Sequence, residues 1–468
     1  MAAVIADGLL RAGVTRLFGA PAVLAPPPAV DVVRAGDLDA CIMAAVTAEL
    51  EEAPGAAALD LSSGVRHAVD GLAHAARDRT PVIVFTSGHP DAGLLAPVVK
   101  ASIVVTPSSA AHWIAHAAQL AMADPRGPVH LQVDSAHAEV AAVPVATAAR
   151  RAPLPPPAAA GLDAMAEAIA RAARPLLVAG LQCAADDAKW LRAFAEALPA
   201  PLLVTPKAKG ALADPHPLAL GLLAADSAVL RRTDLIVAIG LDAVEVAPGL
   251  LPARTAVVHI ARSPSTALYG PVAEAVGDIA LIIEELAPRL RGRDRADWDV
   301  AELDRMKRAT AMVPAALTSV LAQHRVVMIV RELTAAGTIA TTDLPVAPYW
   351  QAVAPREFLI PNGLATFGYA VPAAIAAQLA RPDRRVIAFA RAAGLRAASG
   401  ALSLAGGSGL PLVVVACNEM AAAEDVAPMA RETGAALYTA DSEESFRRAF
   451  YEALTAHRPA VVDARLTR

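Results

Sequence analysis

Short apolar runs alternate with stretches of helical spacing along the whole chain. Residues 386–390 form a run without an internal breaker, 395–404 have helical spacing, and 412–417 form a second run. Further runs of this kind cover 81–86, 175–179 and 234–239. Apolar runs this short are typical of parallel strands that are buried on both faces. The pattern predicts an α/β fold of doubly wound parallel sheets.

Length and linker composition divide the chain into three predicted domains. The chain has 468 residues, which corresponds to about three domains of 100–200 residues each. A stretch rich in Ala and Pro covers 141–161, and a charged stretch that we interpret as a solvated linker covers 291–308. We therefore predict domains at 1–150, 163–290 and 312–468.

The composition excludes several classes of protein. Hydrophobic residues make up 56% of the chain and charged residues 19%, which indicates a packed globule rather than a disordered or disulfide-built chain. The net charge of −5 gives no reason to expect nucleic acid or an acidic membrane surface as a partner. No apolar run reaches the ~18 residues of a membrane-spanning helix. The cysteines, at 41, 183 and 417, are far apart and lie mostly in apolar runs, so we expect reduced core residues of a cytoplasmic protein.

Charged residues follow two of the predicted strands at their carboxyl ends. Arg391 follows the run 386–390, and Glu419 follows the run 412–417 after Asn418. Ligands of open parallel sheets bind at the carboxyl ends of the strands. We expect residues 391–394 and 418–421 to face the same crevice.

The segment 385–420 resembles the pyrophosphate-binding domain of thiamine-diphosphate enzymes, especially the acetolactate synthase and benzoylformate decarboxylase group. In that family an Asp within Gly-Asp-Gly and a later Asn bind the magnesium ion that holds the diphosphate. Here Ala392 stands at the Asp position and Glu419, 27 residues later, at the Asn position. An alanine offers no oxygen ligand to a hard cation. The resemblance thus implies a crevice that has gained Arg391 where the family places a metal.

The resemblance covers nearly the whole chain. The phrase DGLAHAARDRTPVIVFTS is similar to the family's pyrimidine-binding domain, and LLVTPKAKGALADPHPLALG and RTDLIVAIG are similar to its central domain. The phrase NGLATFGYAVPAAIAAQLARPDRRVIAF is similar to its pyrophosphate-binding domain. The implied fold is therefore three doubly wound parallel-sheet domains in the order pyrimidine-binding-like, central and pyrophosphate-binding-like.

The resemblance also implies a catalytic glutamate at the start of a helix in the first domain, where it promotes the imino tautomer of the cofactor. Ala40 falls at this position, with Asp39 beside it. Asp39 is interpreted either as the N-cap of a helix over 41–50 or, if the alignment shifts by one residue, as a stand-in for the glutamate. Three glutamates lie roughly 13–18 Å farther along the same helix and cannot substitute: Glu49, Glu51 and Glu52.

Three more positions depart from the family pattern or leave two interpretations open. The loop at 62–67 is shorter than the family's and carries Arg66 and His67. His67 is either a general base near neutral pH or a helix-capping or surface residue. Phe367 lies where the family keeps a large apolar residue that bends the cofactor, and it would serve equally as core packing. After Glu419 the family's long covering loop is missing, since 420–426 lead almost directly to a predicted helix at 427–434.

The positions that depart from the family's catalytic motifs are confined to one cleft, whereas the motifs of the scaffold are intact. This pattern predicts that thiamine diphosphate and Mg²⁺ are not bound in the normal way. In the first hypothesis the crevice is reused, with Arg66 and Arg391 binding a small carboxylate or phosphate. His67 and Glu419 would then be the acid and base of a cofactor-free lyase, hydrolase or isomerase. A salt bridge between Arg391 and Glu419 is an equally open alternative for Arg391.

Two other hypotheses remain. The chain could be a pseudoenzyme that serves as a structural or regulatory partner, or an atypical thiamine-dependent carboligase or 2-oxo acid decarboxylase in which Glu419 helps to hold the metal. The turns at Gly180 and Gly240 are too weak a signal for FAD, so FAD is not expected. The architecture of the family implies a homodimer or tetramer with the cleft between chains.

Overall fold

The protein is described from a computed structural model. The structure describes residues 1–466, except 21–23, 25–29, 63–64, 88–89, 135, 137–139, 143–152, 266–268, 293–295, 312–320, 365 and 420–424. This part of the chain forms three six-stranded sheets in which the paired strands are parallel. The predicted fold class is confirmed.

The first domain contains a sheet in the order β2-β1-β3-β4-β6-β5. Its strands are β1 (Arg16–Gly19), β2 (Asp31–Val33), β3 (Gly55–Leu59), β4 (Val82–Thr86), β5 (Ser102–Val105) and β6 (Val129–Val133). Its helices are α1 (Ala2–Arg11), α2 (Asp37–Glu51), α3 (Arg66–Arg77) and α4 (Ala110–Met122).

The central domain contains a sheet in the order β12-β11-β10-β7-β8-β9. Its strands are β7 (Pro175–Ala179), β8 (Leu202–Val204), β9 (Ala219–Leu222), β10 (Leu235–Ile239), β11 (Ala256–Ala261) and β12 (Ala273–Val276). The helices are α5 (Ala159–Arg171), α6 (Ala188–Ala197), α7 (Ile279–Arg289) and α8 (Val300–Ala311).

The charged stretch after α7 is not only a solvated linker. Trp298 is buried, and its indole Nε1 donates to the carbonyl oxygen of Pro175 at 2.9 Å. Because the Trp298 ring is both buried and hydrogen-bonded to β7, this stretch packs onto the central sheet.

The third domain contains a sheet in the order β14-β13-β15-β16-β18-β17. Its strands are β13 (Ile339–Thr342), β14 (Phe358–Leu359), β15 (Val386–Arg391), β16 (Val413–Glu419), β17 (Ala436–Ala440) and β18 (Ala460–Leu466). Its helices are α9 (Gln323–Leu333), α10 (Ala370–Ala380), α11 (Ala392–Ala397), α12 (Ser399–Gly407), α13 (Ala427–Glu432) and α14 (Glu443–Thr455). The single helix predicted at 395–404 is wrong, because two helices meet at Ala398, and Arg391 belongs to the strand.

The sheets of the first and third domains share one strand order, and the central sheet has another. Numbered within each domain, the outer two sheets read 2-1-3-4-6-5 and the central sheet reads 3-2-1-4-5-6. In each order the chain leaves its first strand toward one edge and later returns to the other side of it. A crevice therefore opens beside the first strand of each sheet, at its carboxyl end.

The first and third domains share one hydrophobic core. Helices α2 and α10 pack against each other, and both faces are built largely of alanine. The contact of α2 with its own sheet is as close, since a Cβ added to Gly55 would lie 2.0 Å from the carbonyl oxygen of Ala44. Small residues thus let the backbones approach and fix the start of α2 against the sheet. In the described part of the chain, every helix is too short or too polar to span a bilayer.

Candidate active site

The crevice of the third sheet lies between β13 and β15, because β14 continues on the far side of β13. Asp343 follows β13, Arg391 ends β15 and Glu419 ends β16. Arg391 is paired in register with Cys417, and Glu419 lies two residues after Cys417 on the same strand. The side chains of Arg391, Cys417 and Glu419 therefore leave the same face of the sheet. We call Asp343, Arg391, Cys417 and Glu419 the switch-point crevice.

Arg391 is exposed at the mouth of this crevice. Among the residues that the structure describes, its guanidinium forms no ion pair and no side-chain hydrogen bond. The alternative of a salt bridge to Glu419 is therefore wrong. Arg391 presents a fork of donors to whatever enters the crevice.

Asp343 was missed by sequence reasoning, although it closes the triplet Thr341-Thr342-Asp343. Its Oδ2 accepts a hydrogen bond from the amide of Gly368 at 3.2 Å, while Oδ1 is buried without a hydrogen-bond partner among the described residues. Burial raises the pKa of Asp343 to about 6, against the backbone hydrogen bonds and the positive charge of Arg391. Such a carboxyl can give or take a proton near neutral pH.

Cys417 and Glu419 complete the crevice. The pKa of the Cys417 thiol is raised to about 12, mainly by burial, with the charges of Asp343 and Glu419 in the same direction and that of Arg391 against them. These electrostatic contacts place all four side chains in one neighbourhood. The adjacent Asn418 faces the other way and donates to Asp463 at 3.0 Å. Of the residues expected to face one crevice, 391–394 and 418–421, Arg391 and Glu419 lie on the same face, whereas Ala392 packs into the core and 420 and 421 lie outside the described residues.

The donor set does not fit a magnesium site of the family's kind. Ala392 is 5% exposed and packs into the core shared with the first domain. Glu419 alone brings a side-chain oxygen ligand to the two positions, whereas in the family each of the two positions supplies one. No group of three or more His, Cys, Asp and Glu side chains that could hold a metal occurs among the described residues.

Ala40 is fully buried, and a Cβ added to Gly19 would lie 3.2 Å from its Cβ. Helix α2 already begins at Asp37 with Gly36 as N-cap, so the N-cap interpretation of Asp39 is wrong. Asp39 lies in the first turn, and burial raises its pKa to about 6. Its carboxyl has no hydrogen-bond or ion-pair partner within the described ranges. Asp39 therefore has the properties of a stand-in carboxyl, which Ala40 cannot provide.

Arg66 and His67 lie elsewhere. They are the first two residues of α3 and are exposed, and His67 acts electrostatically on Asp37 of the first domain. Within the described part of the chain, no hydrogen bond or ion pair joins them to the switch-point crevice. Residues 63 and 64 of the shortened loop lie outside the described residues, as do residues 420–424 after Glu419. The anion site of Arg66, His67 and Arg391, expected in a cleft between chains, therefore stays a prediction.

Phe367 is 52% exposed. The core-packing interpretation is wrong for this ring, which projects from the segment before α10.

The strand ends of the central domain bind one another. Gln182 follows β7 and donates to Asp242 after β10 at 2.9 Å, and its Oε1 accepts from the amide of Arg262 after β11 at 2.9 Å. Arg79 of the first domain adds an ion pair to Asp242 at 3.0 Å. The cavity left among these groups is about 50 Å³, well below the roughly 300–1,000 Å³ of small-molecule sites. This cavity therefore gives no reason to propose an FAD site.

Glu245 gives this region a testable pH dependence. Its Oε2 accepts from the amides of Leu181 at 2.7 Å and Asp242 at 3.2 Å, and Oε1 is buried without a partner among the described residues. Burial raises the pKa of Glu245 to about 7, against hydrogen bonds that include one from Thr205. The folded state therefore holds this proton longer than the unfolded state, and the free energy of unfolding falls as pH rises from about 4.5 to about 7.

The substitution Glu245→Gln is expected to remove this loss. One oxygen still accepts from both amides, so at pH 8 the variant should be more stable than the wild type by up to about 3 kcal/mol. Denaturant unfolding at pH 5 and pH 8 measures the difference, with the exposed Glu284→Gln as control. A variant less stable than the wild type at pH 8 would show that Glu245 is ionised in the fold.

A buried charge network joins the three domains. Nζ of Lys207 in the central domain lies 2.7 Å from Glu49 and 2.9 Å from Asp78 of the first domain. Glu49 also pairs with Arg356 at 3.0 Å, and Asp78 accepts from the amide of Asn362 at 2.7 Å, both in the third domain. Sequence reasoning placed Glu49 on its helix without a role, and the structure assigns it to this junction.

Comparison with known proteins follows the same three units. Three domain models of thiamine pyrophosphate enzymes match this chain. The N-terminal TPP binding domain matches residues 1–102, the central domain matches residues 162–286, and the C-terminal TPP binding domain matches residues 339–424. Together they cover about two thirds of the chain.

The chain belongs to the thiamine pyrophosphate enzyme family.

The curated relatives are longer or align only in part. The acetolactate synthase large subunit of Parasynechococcus marenigrum is 29% identical over 76% of this chain and 64% of its own length. Acetolactate synthase isozyme 1 large subunit of Escherichia coli is 29% identical over 42% of this chain and 38% of its own length. A protein of Pseudomonas aeruginosa named probable 2-ketoarginine decarboxylase is 27% identical over 80% of this chain and 74% of its own length.

A solved structure shows the same fold. The thiamine diphosphate-dependent 4-hydroxybenzoylformate decarboxylase of Rhodococcus jostii superposes with a TM-score of 0.83 at 20% identity and covers 100% of this chain and 99% of its own. Because the full domain arrangement is kept, the altered residues are local changes on an intact scaffold.

Proposed function

We propose that this member of the family makes or breaks a carbon–carbon bond at a 2-oxo acid, as an atypical carboligase or decarboxylase. The names of its relatives, acetolactate synthase and 2-ketoarginine decarboxylase, support this reaction class. The observation that carries the proposal is the switch-point crevice, in which the exposed Arg391 and Glu419 leave the same face of the sheet near Asp343 and form no ion pair with each other.

In this proposal each charged group has a separate task. Arg391 binds an oxyanion of the ligand, since a guanidinium matches carboxylate and phosphate groups bidentately. Glu419 is exposed and exchanges a proton with the reacting carbon or oxygen. Asp343, with its pKa of about 6, donates a hydrogen bond to a neighbouring oxygen when it is protonated.

Thiamine diphosphate is the candidate cofactor. When bound, it supplies the carbanion that attacks the substrate's carbonyl group and then holds the electron pair. Ala40 and Ala392 lack the carboxylates with which the family activates and anchors this cofactor. Asp39, a partly buried carboxyl beside Ala40, is the candidate substitute on the first domain.

Calorimetric titration with thiamine diphosphate, with and without Mg²⁺, tests the proposal. We expect measurable heat at submillimolar cofactor because Arg391 offers a counter-charge to the diphosphate, followed by CO₂ release from pyruvate or benzoylformate. The matched control is thiamine, which lacks the diphosphate and should give no heat. Absence of heat at millimolar thiamine diphosphate would retire thiamine chemistry for this chain.

The second candidate is the cofactor-free enzyme, which the alanines at 40 and 392 favour. There, Arg391 would bind the carboxylate or phosphate of the substrate itself, and Glu419 would transfer the proton. His67 and Arg66 would join this site from another chain, so a homodimer or tetramer belongs to this version of the proposal. A chain that gives neither heat nor turnover in either assay would fit the pseudoenzyme hypothesis.

A further inference from the structure

The switch-point crevice carries a guanidinium beside the position from which a metal would be held. We infer that Arg391 binds the ligand's oxyanion directly and that this crevice takes a phosphate or carboxylate group without a divalent cation. The inference deepens the proposed function and rests on it for the identity of the site.

The geometry of the strand ends supports direct binding. Arg391 is the last residue of β15, and its register partner Cys417 is buried at 5% exposure. The guanidinium therefore projects past a closed floor toward solvent. Since it is unpaired among the described residues, an entering oxyanion breaks no ion pair between Arg391 and those residues.

The balance of charge argues against a cation in the same place. A divalent ion would face the like charge of Arg391, and Ala392 brings it no oxygen ligand. Glu419 on the same face is the exposed carboxylate of the crevice, whereas Asp343 is largely buried and accepts from the amide of Gly368. Toward an anion the Glu419 carboxylate is an unfavourable neighbour, so removing its charge should strengthen oxyanion binding.

Titration calorimetry of the full chain tests this with inorganic diphosphate, inorganic phosphate and pyruvate, first in EDTA. We expect at least one probe to bind in EDTA and to bind about 10- to 100-fold more weakly to Arg391→Ala, because a charged hydrogen-bond pair is lost. Arg396→Ala removes the same charge at an exposed position of α11 five residues away and should change affinity less than about twofold. Preference for diphosphate indicates a phosphorylated ligand, and preference for pyruvate indicates the substrate's carboxylate.

Glu419→Gln separates a repelling neighbour from a metal ligand. On our inference this variant binds the probe several-fold more tightly in EDTA, and added Mg²⁺ changes nothing. Binding that requires Mg²⁺ and is lost in Glu419→Gln would overturn the inference, as would the absence of heat from all three probes. A chain that binds an oxyanion through Arg391 but releases no CO₂ would keep the inference and remove the proposed function, and Mg²⁺-dependent binding with CO₂ release would do the reverse.

Discussion

Replacing Lys207 by methionine is expected to lower the free energy of unfolding by about 3–5 kcal/mol. The side chain is almost fully buried and is the cation that faces both Glu49 and Asp78. Methionine keeps the length of the stem and removes the charge. Two carboxylates then remain buried with too few partners, which costs far more than the loss of an exposed ion pair.

The pKa shifts in the network show that the charges support each other. Burial by itself lowers the pKa of Lys207, but the charges of Asp78 and Glu49 outweigh it, and the net pKa is raised. Burial raises the pKa of Asp78, and Lys207 together with His74 outweighs it, so the net pKa is lowered. The stabilisation from Lys207 is therefore present below its unfolded pKa and is lost only as pH rises through the higher folded value.

Thermal unfolding followed by circular dichroism measures the effect of Lys207→Met, with the exposed Lys189→Met as control. The control should lie within about 0.5 kcal/mol of the wild type. Limited proteolysis should also cut the variant faster between domains, because the network joins all three. A loss below 1 kcal/mol would mean that other contacts hold the domains together, such as the α2–α10 core and the ion pair of Arg79 with Asp242.

The substitution Glu419→Gln is expected to lower kcat for the 2-oxo acid reaction by about 10²- to 10⁴-fold, the usual cost of removing a general acid or base. The affinity for substrate should not fall, because the amide keeps the shape and removes a negative charge next to Arg391. Lost turnover with retained binding distinguishes a proton-transferring group from one that only shapes the crevice.

Steady-state CO₂ release gives kcat and KM, and Glu432→Gln on the exposed end of α13 is the charge-matched control. If Glu419→Gln kept full activity, the proton would have to pass through another group. Asp343→Asn would then be the decisive variant, since Asp343 is the other carboxyl of the crevice.

The sequence predicted the doubly wound parallel sheets well, because a buried parallel strand appears as a short apolar run that depends only on neighbouring residues. The runs at 386–390 and 412–417 lie within β15 and β16, and the strand ends at 391 and 419 followed from them. Helix boundaries were less secure, as the break at Ala398 and the start of α2 at Asp37 show, because tertiary contacts decide where a helix ends. The domain boundaries stay predictions.

The candidate site divides in the same way. The sequence by itself determined which oxygen ligands are present, since Ala392 and Ala40 have none in any fold, and it placed Arg391 and Glu419 at neighbouring strand ends. Only the tertiary structure decided that Arg391 and Glu419 do not pair and that Asp343 joins them. Pairing and pKa depend on burial and on groups distant in sequence, and the junction of Lys207 with Glu49 and Asp78 exists only once three domains have packed together.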